Sequence, residues 1–390
     1  MDNSFIYFDH ASTSPLSNNV LKTINNCYQK YWGNVSSTYK FGIECAEELE
    51  RIRNKIAVIF NAEDEDIIFT SGSSESISLV FNNVADNFFP ENISISSVEH
   101  KASIIASNKL KKRGWKIKEW PVDKEGIIKI SESEKYINKT IKLVSIIWGQ
   151  SEIGTLQPVQ LVGKMCIKEK VLFHIDGTQI ISNGIFNWSK LNCDLLSLSA
   201  HKFGGPKGIG MLLTNKKSRK LLKNSDISPS QEYSIRAGTQ PLPLISGLYQ
   251  ALLNIKSKII LSDDESFFNN EKIELIRDHL IKKIKSNDKV LITGSISSRL
   301  PNHLSFILLN NDLLPIEAYK IINYMSDHNI SISSGSACSS SSKEPSPILK
   351  KLKIENSKLF SNIRLSFSIE NNINQVDNFY ALLLECIDIF

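Results

Sequence analysis

Short apolar runs recur through the first half of the chain, with helical spacing of apolar and polar residues between them. Runs at 66–70, 93–96, 115–119, 142–147, 171–175, 193–198 and 209–213 read as strands. Helical patterns fall at 16–31, 38–60, 74–88, 99–112 and 157–168. In the second of these, Glu47, Glu48, Glu50, Arg51 and Arg53 form the wet face. Such alternation predicts an α/β fold with a mainly parallel sheet and crossover helices, whose ligands sit beyond the strand C-termini. After Pro241-Leu242-Pro243 the pattern predicts one long helical stretch from about 244 to 286. A smaller α/β region follows, with strands near 289–292, 303–309, 330–332 and 362–367 and a last helix over 373–388.

Length and composition narrow the picture. A chain of 390 residues exceeds one ordinary core, so two domains, or one large domain with appendages, are expected. The formal charge of +5 comes from 46 basic and 41 acidic residues, a small excess that argues against direct nucleic-acid binding. No apolar run approaches the ~18 residues of a membrane span, and the start shows no basic leader with an apolar core. Six cysteines, Cys27, Cys45, Cys166, Cys193, Cys338 and Cys386, lack the paired spacing of a zinc site or a disulfide framework. A reducing cytoplasm fits, and no metal is expected.

The chemistry gathers at predicted strand ends. The run Val171 to Ile175 ends in Asp176-Gly177-Thr178-Gln179, and Leu195 to Leu198 ends in Ser199-Ala200-His201-Lys202 before a Gly-rich turn. A Lys and an Asp meeting in one crevice suit pyridoxal phosphate: the amine forms a Schiff base and the carboxylate holds the pyridinium proton. Ser71-Gly72-Ser73-Ser74-Glu75 turns from a strand into a helix, where small residues and free N–H groups receive a phosphate. An ordinary Ser-capped helix carries the same pattern. His100, opening the next helix, lies at the same rim and suits proton shuttling near neutral pH. The stretch Ser333-Ser334-Gly335-Ser336-Ala337-Cys338 and its serine-rich continuation places one thiol among small, helix-averse residues, which suits a reactive thiol that must travel; a flexible linker with an incidental Cys carries the same pattern.

In order and content these segments resemble the cysteine desulfurase family, within the class V aminotransferase group of fold-type I pyridoxal phosphate enzymes. The resemblance runs from Tyr7-Phe8-Asp9-His10-Ala11 through Gly33-Asn34-Val35-Ser36-Ser37, the phosphate turn, Glu99-His100-Lys101, Glu152-Ile153-Gly154, the Asp176 and Lys202 segments and the Cys338 stretch to Arg364. It implies an N-terminal segment 1–15 joining a small domain, a large cofactor-binding domain over 16–245, and a small C-terminal domain over 246–390 whose loop 333–344 carries the catalytic Cys.

The resemblance also implies roles. Lys202 carries the cofactor aldehyde, Asp176 pairs with the ring nitrogen, Gln179 bonds the phenolic oxygen, and His100 stacks on the ring and moves protons. Ser73, Ser74, Ser199 and His201 hold the phosphate, joined by Thr239 from a second subunit of a homodimer, and Ser151 sits near the ring. Asn34 and Arg364 bind the carboxylate of L-cysteine. Cys338 takes its sulfur as a persulfide, leaving L-alanine, for an acceptor protein such as an iron–sulfur scaffold or a thiolation enzyme.

The sequence departs from the family pattern in places. Ser151 stands where an Asn is usual, His10 replaces an Asn, and Val35 replaces a Pro. Ser228-Pro229-Ser230-Gln231-Glu232 replaces a Gly-rich segment, and Ser366-Phe367-Ser368-Ile369 follows Arg364. A selenocysteine lyase or another β-eliminating enzyme of the class, and a catalytically weak sulfur-transfer interaction protein, are the alternative readings.

Overall fold

The computed structural model describes residues 5–222, 231–257, 267–269, 271–335 and 344–390. A short strand β1 (Ile6–Tyr7) precedes helices α1 (Asn18–Lys30) and α2 (Lys40–Phe60). Next come β2 (Ile67–Thr70), α3 (Ser73–Asn87), β3 (Asn92–Ser96), α4 (Lys101–Lys111), β4 (Lys116–Trp120), β5 (Ile141–Ile147), α5 (Val159–Glu169) and β6 (Leu172–Asp176). The run continues with β7 (Gly184–Phe186), β8 (Leu195–Ser199), β9 (Gly210–Thr214), α6 (Lys216–Leu222) and α7 (Leu242–Lys256). The remainder holds β10 (Phe267–Asn269), α8 (Glu271–Ile284), β11 (Val290–Ile292), β12 (His303–Leu308), α9 (Ala318–Asp327), β13 (Ile330–Ser331), α10 (Pro347–Lys351), β14 (Asn362–Ser366) and α11 (Ile373–Ile389).

Seven strands form the main sheet in the order β2-β9-β8-β6-β5-β3-β4. All run parallel except β9, which is antiparallel to both neighbours. The central strands β5, β6, β8 and β9 are buried almost throughout, as a sheet covered on both sides requires, while the edge strand β4 buries only Trp120. Phe173 and Ile175 of β6 join one core with residues of α1, α2, α5 and α7, while Leu172 joins the other with α3 and α4. His174 shares the face of Leu172, and its ring nitrogens meet Ser145 Oγ and Ser197 Oγ at 2.8 Å each. Burial pushes this imidazole down to about 4, so it bridges two strands as a neutral group.

A second sheet, β11-β12-β14, carries its own core with α8, α9 and α11. The start of the chain belongs beside it: Ile6 and Tyr7 pair with Ile330 and Ser331, and Asp9 bridges Ser366.

Three expectations change. The single helical stretch 244–286 is two helices, α7 and α8, with β10 between them pairing antiparallel with β7. Arg53 is not on a wet face: it is 2% exposed and ion-pairs with Glu232 at 2.9 Å. Helix α9 falls where no helix was expected.

Candidate active site

The strand C-termini open onto a cleft of about 730 Å³ between the main sheet and the second lobe. Asp176 is the last residue of β6, in register with Ile147 on β5 and Ser197 on β8. Three residues beyond the end of β8, Lys202 lies on a single turn of 3₁₀ helix. Neighbouring strands thus place the acid and the amine at one rim. Asp176 is 2% exposed, and its Oδ1 accepts from the Thr178 amide at 3.1 Å and Ser73 Oγ at 3.4 Å, and from the Thr178 hydroxyl. Thr178 Oγ1 also lies 2.6 Å from Ser73 Oγ, so one hydroxyl joins the carboxylate to the start of α3.

The phosphate side has the composition of an anion seat. Gly72 (φ +152) turns the chain into α3, whose start has no side-chain cap. Of its first-turn amides, that of Glu75 donates to Gly72 O at 3.1 Å, which leaves those of Ser73 and Ser74 at the cleft lined by Ser71, Ser73, Ser74, Ser199, His201 and Lys207. Burial, with Lys202 and Lys207 adding, pushes His201 down to about 4, while its Nδ1 lies 3.2 Å from Thr13 Oγ1. An amine, a buried carboxylate and an uncapped helix start fit pyridoxal phosphate.

His100 caps α4, its Nδ1 accepting from the Ala102 amide at 3.2 Å. That bond leaves the proton on Nε2. Desolvation, opposed by Asp176 and reinforced by Lys202 and Lys101, keeps the imidazole below its ordinary value. Behind it Glu99 is pushed up to about 8 by burial, with Asp176 adding, although Ser96 Oγ and the Ile147 amide donate to its Oε1 at 2.6 and 2.7 Å.

The opening segment crosses the cleft floor. Lys202 Nζ donates to the carbonyls of Ala11 and Ser12 at 2.8 Å each, and Gln179 Nε2 donates to Ala11 O at 3.0 Å. Arg364, on β14, is 3% exposed. Its Nη2 donates to Asp9 Oδ1 and Ser12 Oγ at 2.6 Å each, and its Nη1 to Ser151 O at 3.1 Å. One strap, residues 9–13, therefore meets Arg364, Lys202, Gln179 and His201.

The cleft brings together Ser73, Ser74, His100, Ser151, Asp176, Gln179, Ser199, His201, Lys202 and Arg364. It does not bring in Asn34, which is exposed before α2 with Oδ1 accepting from the Ser36 amide at 2.9 Å. Thr239 is likewise exposed and off the cleft of its own chain. Cys338 lies outside the described residues. Of the departing segment 228–232, Glu232 seals a structural joint: Arg53 and the Phe69 amide, at 2.8 Å, both donate to it. Four residues on, Arg236 Nε reaches Glu75 Oε1 at 3.0 Å, tying the Thr239 segment to the phosphate turn. Reasoning from the motifs missed Ser12, Glu99, Glu152 and Thr178 as parts of the cleft, and Asp9 as the acid that holds Arg364 beside it; all but Ser12, which follows the opening motif directly, stand inside quoted motifs, and position was their one signal.

This scaffold and cleft are those of the class-V aminotransferases, whose family model, "Aminotransferase class-V", matches residues 6–379. Among curated relatives, cysteine desulfurase IscS of Dictyoglomus turgidum is 34% identical over 93% of this chain and 90% of its own length. The mitochondrial cysteine desulfurase of Saccharomyces cerevisiae is 32% identical over 95% and 73%. A solved NifS-like protein superposes with a TM-score of 0.87 at 28% identity, covering 99% of this chain and all of its own. The chain belongs to the cysteine desulfurase family.

Proposed function

We propose that the chain removes sulfur from L-cysteine, leaves L-alanine, and passes the sulfur through Cys338 to an acceptor protein such as an iron–sulfur scaffold or a thiolation enzyme in the cytoplasm. The observation that carries this reading is the placing of Asp176 and Lys202 at the ends of neighbouring strands, in one cleft with His100 and Arg364. Lys202, Asp176, Gln179, Ser73, Ser74, Ser199 and His201 would hold pyridoxal phosphate, with Ser151 at the ring edge. Bound there, the group supplies an electron sink for bonds at the substrate's carbons.

The chain's own side chains do the rest. Arg364, buried and held by Asp9 and Ser12, offers a charged fork to the substrate carboxylate. His100 moves protons at Nε2. Cys338 Sγ forms an S–S bond with the substrate sulfur while the Cβ–S bond breaks and leaves its electron pair with carbon. A proton then completes alanine, so no outside oxidant or reductant is needed. The working division is an N-terminal segment to residue 15, a large domain to 245 and a small domain to 390.

Holoenzyme given L-cysteine and a reductant should release alanine and sulfide in equal amounts. Asp176→Asn, which keeps the bond from the Thr178 amide but loses the charge, should keep the fold and lose on the order of 10²-fold in turnover. Normal turnover in that variant contradicts the role of Asp176, and absence of alanine from the wild type sinks the activity.

The working form is a homodimer in which Thr239 of one copy completes the phosphate seat of the other. Its exposure, and the tie of its segment to the phosphate turn through Arg236 and Glu75, support this. Sedimentation should find two chains. Mixed Lys202→Ala and Thr239→Ala protomers should recover activity in hybrids with one intact site. A fully active monomer refutes the arrangement.

A further inference from the structure

We propose that His303 is a positioning residue for Arg364, acting through the backbone carbonyl of Ser151. The proposal rests on Arg364 receiving the substrate carboxylate.

His303 opens β12 and is fully buried, at 0% exposure. Its neighbour in the sheet is β14, where Ser305 stands opposite Arg364 and His303 opposite Ser366. Residues 303, 305 and 364 therefore project from one face of that sheet. Ser151 belongs to the other lobe, on the turn that follows β5. His303 Nε2 lies 3.1 Å from Ser151 O, and Arg364 Nη1 lies 3.1 Å from the same oxygen. Two side chains of the second lobe thus converge on one main-chain acceptor of the first, at the wall of the cleft.

The carbonyl can only accept, so Nε2 carries the ring proton. Burial, with Arg299 and then Arg364 adding, holds the imidazole well below its ordinary value, and the ring stays a neutral donor at neutral pH. Its Nδ1 meets no partner among the described residues. A buried acceptor left bare costs stability, and an apolar side chain would fill the same space without that cost. The donor at Nε2 is what an imidazole adds here.

The turn is shaped to receive the ring. Gly154 has φ +74, and a Cβ there would lie 2.4 Å from His303 Nδ1 and 3.0 Å from Arg299 Nη1. Gln150 Oε1 accepts from the amides of Glu152 and Ile153 at 2.5 and 3.0 Å, and Gly154 N donates to Gln150 O at 2.8 Å. Those bonds fix the amides of the turn, and His303 fixes the carbonyl that points toward β14. Arg364 Nη2 is held by Asp9 and Ser12, and its Nη1 is shared between this carbonyl and Gly335 O at 3.4 Å, so the Ser151 carbonyl is the acceptor through which His303 bears on the Nη1 arm. His303 sets where that carbonyl stands, and so sets the direction of the guanidinium fork.

The test compares His303→Leu, which removes the donor, with His303→Gln, which returns an N–H, both as holoenzymes. His303→Leu should raise KM for L-cysteine about tenfold, the loss of one hydrogen bond's worth of alignment. Its kcat should change less, and its cofactor absorbance should match the wild type. His303→Gln should recover most of the loss. In an Arg364→Lys background, His303→Leu should add little. A folded His303→Leu enzyme with unchanged KM overturns the proposal, and so does a Gln variant as impaired as the Leu variant.

Should His303→Leu fail to fold, the wild type answers instead. The Nε2–H resonance of His303, read in histidine-labelled protein, should shift when L-alanine is added, and an unmoved resonance overturns the proposal. Arg364→Ala separates the two levels. Unaltered KM there overturns the reading of Arg364 and the proposal with it. A raised KM there, with none in His303→Leu, overturns the role of His303 alone.

Discussion

Lys202→Ala should lower cysteine turnover by at least about 10³-fold, because the proposed covalent anchor for the cofactor is then gone. The structure sharpens this expectation. Two other lysines, Lys101 and Lys207, line the cleft, yet both are exposed. Lys202 is the one tethered over the floor by the Ala11 and Ser12 carbonyls. Borohydride treatment of the holoenzyme followed by peptide mapping should put the label on Lys202. Label on Lys101 or Lys207 would reassign the anchor. The variant leaves the Ser12 carbonyl short of its donor while Ala11 O keeps Gln179 Nε2, a cost of about 1–3 kcal/mol that a thermal melt can read separately from activity.

The sulfur should pass through one thiol. Cys338→Ser should load cofactor normally and still bind L-cysteine, while alanine release falls to background, about 10³-fold or more below the wild type. The other cysteines are poor carriers. Cys27, Cys45, Cys166 and Cys386 are buried, and Cys193 is half-buried. None of the five lines the cleft. Burial raises the thiol of Cys27, pushes that of Cys386 up to about 12, and lifts those of Cys166 and Cys193 further, so they stay protonated and unreactive. A brief pulse of L-cysteine followed by mass spectrometry should find one added sulfur on the Cys338 peptide. The added mass on any of the other five, or full activity in Cys338→Ser, would remove Cys338 from the mechanism.

Much of this was legible in the sequence because the chemistry sits at strand ends, where an apolar run stops and a motif begins. Asp176 and Ser199 end their strands as the pattern predicts, and Lys202 follows within one turn. What stayed illegible depends on distant parts of the chain. The antiparallel sense of β9 follows from its short connection to β8, not from its apolar pattern. Helical spacing on both sides of 257–270 hid the break between α7 and α8, because pairing of β10 with β7 is a tertiary decision. Arg53 read as solvated because its partner, Glu232, lies 179 residues away. Glu99 and Glu152 read as ordinary motif acids, yet burial raises them to about 8 and about 7. The strap of residues 9–13 carries no local sign of its contacts with Lys202 and Arg364.

That strap has a consequence for synthesis. Asp9 leaves the ribosome 355 positions before Arg364, its partner across the cleft. The main sheet can assemble while translation continues, since its strands lie between residues 67 and 214. The cleft floor cannot, because β13 and β14, which seat the leading residues, do not yet exist. Residues 6–9 must therefore wait unpaired until residues 330–366 are made. A ribosome stalled before β14 should display a chain with a folded main sheet and the residues proposed to hold pyridoxal phosphate, yet with no Arg364 to receive a substrate carboxylate.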